Sequence, residues 1–189
     1  VIAYLDSSVL ARAYLVDEEG HQQATALLAD PEIATVTGTW TRIAVSGAQV
    51  RAARVGRGNE KGLLALLDAD LTNRVIVLAA PPDQVEQRAL DLVRRHAVPA
   101  MDAWHLAVAV LVVPPLLEPG EPRAFASRDE VQRKVAEELG FIRCDSVAPS
   151  KSCCLHSPPG QRVTQCSGDT TEHGPRVGAS LHCSAIIMA

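Results

Sequence analysis

A chain of 189 residues, 47% of them hydrophobic, suits one domain of ordinary size with material for a sizeable core. A net charge of −4 and a pI near 5.9 exclude a domain that holds nucleic acid by bulk charge alone, because such domains carry a basic face. No apolar run reaches the roughly 18 to 20 residues that span a bilayer, and the first segment lacks the basic start and cleavage site of a signal peptide, so a cytoplasmic protein is expected.

Residues 1–6 form a short apolar run that ends in Asp6, and Ser7 and Ser8 offer side-chain oxygens to the exposed N–H groups of a following helix. Helical periods follow over 7–15 and 19–30, broken at Asp17-Glu18-Glu19-Gly20, and Ile33 to Thr37 alternates as a second strand. Thr39 or Thr41 caps the next helix, over 41–56, and a further helix fits 59–72. Val75 to Ala79 is a compact β-branched strand, Pro82 to His96 an amphipathic helix, and Met101 to Val112 an apolar helix closed by Pro114-Pro115. Arg123 to Ser127 reads as a strand, Asp129 to Leu139 as a helix ended by Gly140, and Phe141 to Arg143 as a last short strand. Strands alternating with helices predict an α/β fold with a mostly parallel sheet covered on both faces.

Three aspartates stand where a strand passes into a helix or a helix begins: Asp6, Asp102 and Asp129. In a parallel α/β sheet such carboxylates collect at the carboxyl edge of the strands, where open sheets bind ligands. Hard oxygen donors gathered there favour Mg²⁺ or Mn²⁺ over zinc, a donor set suited to metal-assisted phosphodiester hydrolysis. Each acid alone reads equally well as a helix cap or as a partner of the helix dipole, and only their joint placement favours a metal site. Ser7 and Ser127 are candidate donors that steady the carboxylates. His105 reads as a packed, hydrogen-bonded histidine, since Mg²⁺ selects oxygen, and Trp40 and Trp104 read as core or interface. Arg51, Arg54 and Arg57 fall three apart along one helical stripe, a solvated face or a contact for RNA or an acidic partner helix. A phosphotransfer role for Asp6 needs a second acid two residues on, and residue 8 is Ser.

All five cysteines lie from Cys144 onward, and no aromatic residue follows Phe141. Residues 144–189 are rich in Ser, Gly, Pro and Thr, show neither helical nor strand period, and are expected to be a disordered tail from a shifted or extended reading frame. Cys153, Cys154, His156, Cys166, His173, His182 and Cys183 are potential zinc ligands, but adjacent cysteines with no second pair at finger distance argue against a site.

The stretches Tyr4-Leu-Asp-Ser-Ser-Val-Leu10, Asp17-Glu-Glu-Gly-His21, Thr41-Arg-Ile-Ala-Val-Ser-Gly-Ala-Gln-Val-Arg51, Met101-Asp-Ala-Trp-His-Leu-Ala107, Ala126-Ser-Arg-Asp-Glu130 and Glu138-Leu-Gly-Phe141 are weak alone. In this order and spacing they resemble the PIN-domain ribonucleases, most closely the VapC toxins of type II toxin–antitoxin modules, over residues 1–143. The resemblance implies a three-layer α/β/α PIN-like domain and a Mg²⁺-dependent endoribonuclease, with Mn²⁺ as a possible substitute. It implies Asp6 and Asp102 as the main metal ligands, Asp129 completing the acidic pocket directly or through water, a cognate VapB-like antitoxin as inhibitor, and a homodimer. The family's Thr-Arg-Ile-Glu-Val setting reads Thr41-Arg-Ile-Ala44-Val here, so one acid is missing and impaired cleavage is expected. The alternative is a PIN-like protein that binds antitoxin or RNA without cutting.

Overall fold

The computed structural model describes residues 1–144, so the expectations for the tail from residue 145 onward, the zinc reading included, lie outside the described residues. Strand β1 (Ile2–Leu5) is buried at every position, as a strand covered on both faces must be. It leads through α1 (Ser7–Tyr14) and α2 (His21–Ala29) to β2 (Ala34–Gly38), then through α3 (Thr39–Arg54) and α4 (Glu60–Thr72) to β3 (Ile76–Ala79). Helices α5 (Val85–His96) and α6 (Ala100–Val112) precede β4 (Arg123–Ala126), and α7 (Glu130–Glu138) precedes β5 (Ile142–Arg143). The sheet order is β3-β2-β1-β4-β5, with all four pairings parallel.

The alternation of side chains along β1 divides the core in two. Ile2 and Tyr4 face a cluster built with α5, α6 and α7, whereas Ala3 and Leu5 face one built with α1 to α4. This is the expected three-layer α/β/α arrangement. Helix α6 is the central piece of its layer: Ala103 and the run from His105 to Ala109 are all buried, the pattern of a helix surrounded on nearly every side. Small side chains let it come close to the sheet, and so does Gly38, where an added Cβ would stand 3.0 Å from the Tyr4 hydroxyl and 3.4 Å from Val108 Cγ1.

That close approach corrects one sequence expectation. Helix α3 begins at Thr39 behind Gly38 and has no side-chain cap, and Thr41 is turned into the core. A second correction concerns the arginine stripe: α3 ends at Arg54, and Arg57 lies beyond it, paired with Asp17 through Nε and Nη2 at 2.6 and 2.8 Å and with Glu18 at 2.7 Å. The chain leaves α3 through Gly56 and Gly58, both at positive φ, which carries Arg57 off the helical stripe. At the far edge Gly140 takes φ +86 after α7, and Arg123 donates to the Leu139 and Gly140 carbonyls that end the helix.

Leu106 has no exposed surface and lies in the α5–α7 cluster. Leu106→Ala is expected to lower unfolding free energy by about 2 to 5 kcal/mol. Urea denaturation followed by circular dichroism checks this, with the midpoint falling at an unchanged slope.

Candidate active site

Strands β2 and β3 succeed β1 on one side, and β4 lies on the other, so the carboxyl ends of β1 and β4 flank the point where the strand order reverses. Open α/β sheets place their ligand crevice there. A cleft of about 460 Å³ occupies this position, lined by Asp6, Ser7, Ser8, Trp40, Ala44, Met101, Asp102, His105, Arg128 and Asp129. The three aspartates singled out by sequence thus meet at one cleft, together with Ala44 and Ser7.

Asp6 is 6% exposed and caps α1, its Oδ2 accepting the Ser8 N–H at 3.3 Å. The two serines do not cap the helix, as one expectation had it, but donate to the acid that does, and the cap role of Asp6 and the donor role of Ser7 were the other readings of the same residues. The Ser8 hydroxyl reaches Oδ2 at 2.7 Å and the Ser7 hydroxyl reaches Oδ1 at 3.3 Å. The turn after β4 is tied to the same carboxylate by two hydroxyl relays. Arg128 N–H donates to Ser8 Oγ at 3.1 Å, and Asp129 N–H donates to Ser127 Oγ at 3.0 Å, which in turn lies 3.5 Å from Asp6 Oδ2. The expected role of Ser127 beside the acids has this geometric basis.

His105, one turn after Asp102, places Nε2 at 3.3 Å from Asp6 Oδ1 and Nδ1 at 3.1 Å from the Tyr4 hydroxyl. Burial lowers the imidazole pKa, outweighing the opposing effect of Asp6, so the ring is neutral at pH 7. Burial first and Asp6 second raise the Tyr4 pKa, so its hydroxyl keeps its proton and donates. One tautomer satisfies both contacts: Nε2–H donates to Asp6, and Nδ1 accepts from Tyr4. His105 is therefore the packed, hydrogen-bonded residue that was expected, but it is bonded to the site's most buried acid. Sequence reading missed Tyr4, although its position two residues before Asp6 on a strand puts both on one face of the sheet.

Asp129 caps α7, with Oδ1 accepting the Gln132 N–H at 2.8 Å, and is exposed at the cleft mouth. Gln132 was also missed. Fully buried, it holds Asp129 through its backbone N–H and donates Nε2 to the Asp102 carbonyl at 3.3 Å, linking the two outer acids, while its Oε1 is buried without a partner among the described residues. A Gln carries no local sequence signal for such a tie. Asp102 is half-buried in the first turn of α6. Its pKa is raised by burial first, then by the charges of Asp129 and Asp6, so the three carboxylates act on one another across the cleft.

All-oxygen donors of this kind suit Mg²⁺ or Mn²⁺. No three His, Cys, Asp or Glu groups among the described residues stand close enough together to form a complete cage. What the cleft offers a cation is separate carboxylates on its lining, a donor chemistry of oxygen alone, rather than a closed cage. Ala44 sits on the α3 wall of the cleft and presents a methyl group to it.

The model of the PIN domain family matches residues 3–138, and the chain belongs to that family. Among solved structures it is similar to the crystal structure of Mycobacterium tuberculosis VapC20, a sarcin-ricin loop cleaving toxin. The TM-score is 0.51 and the identity 15%, over 74% of this chain and 96% of that one. That likeness is one of fold. No curated protein matches the sequence.

A raised pKa in the folded state means that Asp102 favours folding below its unfolded pKa, near 3.8, and that this contribution is lost as pH rises through the folded value. In chelator, Asp102→Asn is therefore expected to melt above the original chain at pH 7, with the gap closing as pH falls toward about 3. Thermal melts across that pH range measure it.

Proposed function

We propose that this chain is a toxin-like endoribonuclease that uses Mg²⁺, with Mn²⁺ as a substitute, and whose activity is reduced by Ala44. The observation that carries the reading is the meeting of Asp6, Asp102 and Asp129 at one cleft at the reversal of strand order. Membership of the PIN family supports it, and the fold shared with a sarcin-ricin loop cleaving toxin agrees with it.

In this reading Asp6 and Asp102 are the main ligands, and Asp129 contributes directly or through water. A bound divalent ion supplies Lewis acidity for the scissile phosphate and for the attacking water. The protein's part is positioning. Ser8, Ser7 and His105 fix the Asp6 carboxylate, Ser127 and Gln132 fix Asp129, and the walls from α3 and α6 limit how a strand enters. A cognate VapB-like antitoxin that occupies the cleft, and pairing of two copies, belong to the same proposal by family likeness.

Ala44 favours a second reading, a PIN-like protein that binds antitoxin or RNA without cleavage. Losing a residue that merely supports a metal ligand costs roughly 10- to 100-fold in affinity or activity, and a carboxylate missing from the cleft itself costs at least as much. The test is cleavage of a structured RNA hairpin with Mg²⁺ and with chelator. Ala44→Glu is expected to cut at least about tenfold faster than the original chain, and Asp6→Asn in either background is expected to abolish cutting. If neither the original nor the repaired chain cuts while both still bind RNA or a co-encoded antitoxin, the enzyme reading is wrong and the binding reading stands.

A further inference from the structure

Trp40 is 45% exposed, although it lies in the first turn of α3 beside a well-filled core. Sequence alone reads it as core or interface. In the structure its neighbours at Thr41 and Val45 take the inward positions, and Trp40 shares a helix face with Ala44, four residues on. Both line the acidic cleft, and Met101, 40% exposed, lines it from α6. An indole left this open forgoes burial that ordinarily stabilises a fold, and a large apolar side chain in a cleft marks a place for a ligand.

The cleft therefore joins an acidic floor to a wall with one flat aromatic face. Among the described residues Arg128 is the one basic side chain on its lining apart from the neutral His105, and it is shared with Glu18 at 3.7 Å. With a net charge of −4 and a single arginine on the cleft lining among the described residues, contact with phosphates leaves room for a second source of affinity. Stacking supplies one, because every base has a π-face that an exposed indole can meet.

We propose that Trp40, backed by Ala44 and Met101, forms a nucleobase-stacking subsite that seats an unpaired base of the RNA next to the phosphate held at the aspartates. The inference rests on the nuclease reading of the cleft. A nucleotide matches both halves of the surface, since it carries a flat apolar ring and, one sugar away, an anionic phosphate whose charge a divalent ion held by the carboxylates would offset. Unpaired bases are also the part of RNA that proteins can reach and stack upon.

The experiment measures binding rather than turnover, in Ca²⁺ so that charge is neutralised without relying on cleavage. The probes are a fluorescein-labelled single-stranded RNA of about ten nucleotides, within the span such sites cover, and the same backbone without bases. Anisotropy is read for the original chain, Trp40→Phe, Trp40→Ala and Asp6→Asn, each checked by circular dichroism melting. In a Trp104→Phe background, Trp40 emission reports the contact directly.

Trp40→Ala is expected to bind about tenfold more weakly, Trp40→Phe to fall between, and the base-free probe to bind the original chain as weakly as RNA binds Trp40→Ala. RNA is expected to quench Trp40 emission. If Trp40→Ala binds like the original while Asp6→Asn binds more weakly, the base subsite is wrong and the nuclease reading survives. If both variants bind RNA like the original, both ideas fail. Quenching of Trp40 by an amphipathic leucine-rich peptide, with none by RNA, would make this wall a protein-docking surface and overturn the proposal.

Discussion

A carboxylate shut away from water is costly unless donors surround it, and the placement of Asp6 organises everything around the cleft. It ends the central strand, caps the first helix, and receives the hydroxyls of Ser7 and Ser8 and the Nε2–H of His105. Through Ser8 and Ser127 it also fixes the turn after β4, and with it the start of α7. Three elements far apart in sequence are thereby held at one point. The neutral His105 is part of the same arrangement: Tyr4 sets its tautomer, and α6 carries it and Asp102 on one face.

Such a site trades stability for chemistry. Asp102 lies where burial and two neighbouring acids oppose its charge, and among the described residues the exposed Arg128 is the one cationic side chain on the cleft lining. Perturbed carboxylates in a cleft are the signature of a functional site more often than of a structural one.

Much of this was legible in the sequence because the fold is built from regular signals. The apolar run ending at Asp6, the β-branched run before Ala79 and the Gly140 stop each correspond to an observed element edge, and the three acids fall at one cleft as their positions suggested. What escaped depends on tertiary contact. Gly38 stands at the N-cap in place of a threonine, in a spot where Tyr4 and Val108 leave little room for a side chain. Ser8 serves Asp6 rather than the helix, because Asp6 itself accepts the N–H that a serine cap would have taken. Gln132 and Tyr4 hold the site from behind, in positions that no local pattern distinguishes from ordinary core.

The central claim is that the cleft holds a divalent ion on Asp6. Titration of Mn²⁺ into the chelator-treated chain, followed by the electron paramagnetic resonance signal of the free ion, tests it most directly. One ion bound per chain, lost on Asp6→Asn although that variant folds, is the result this account predicts. Equal binding by the two proteins, or none by either and none after Ala44→Glu, would contradict it.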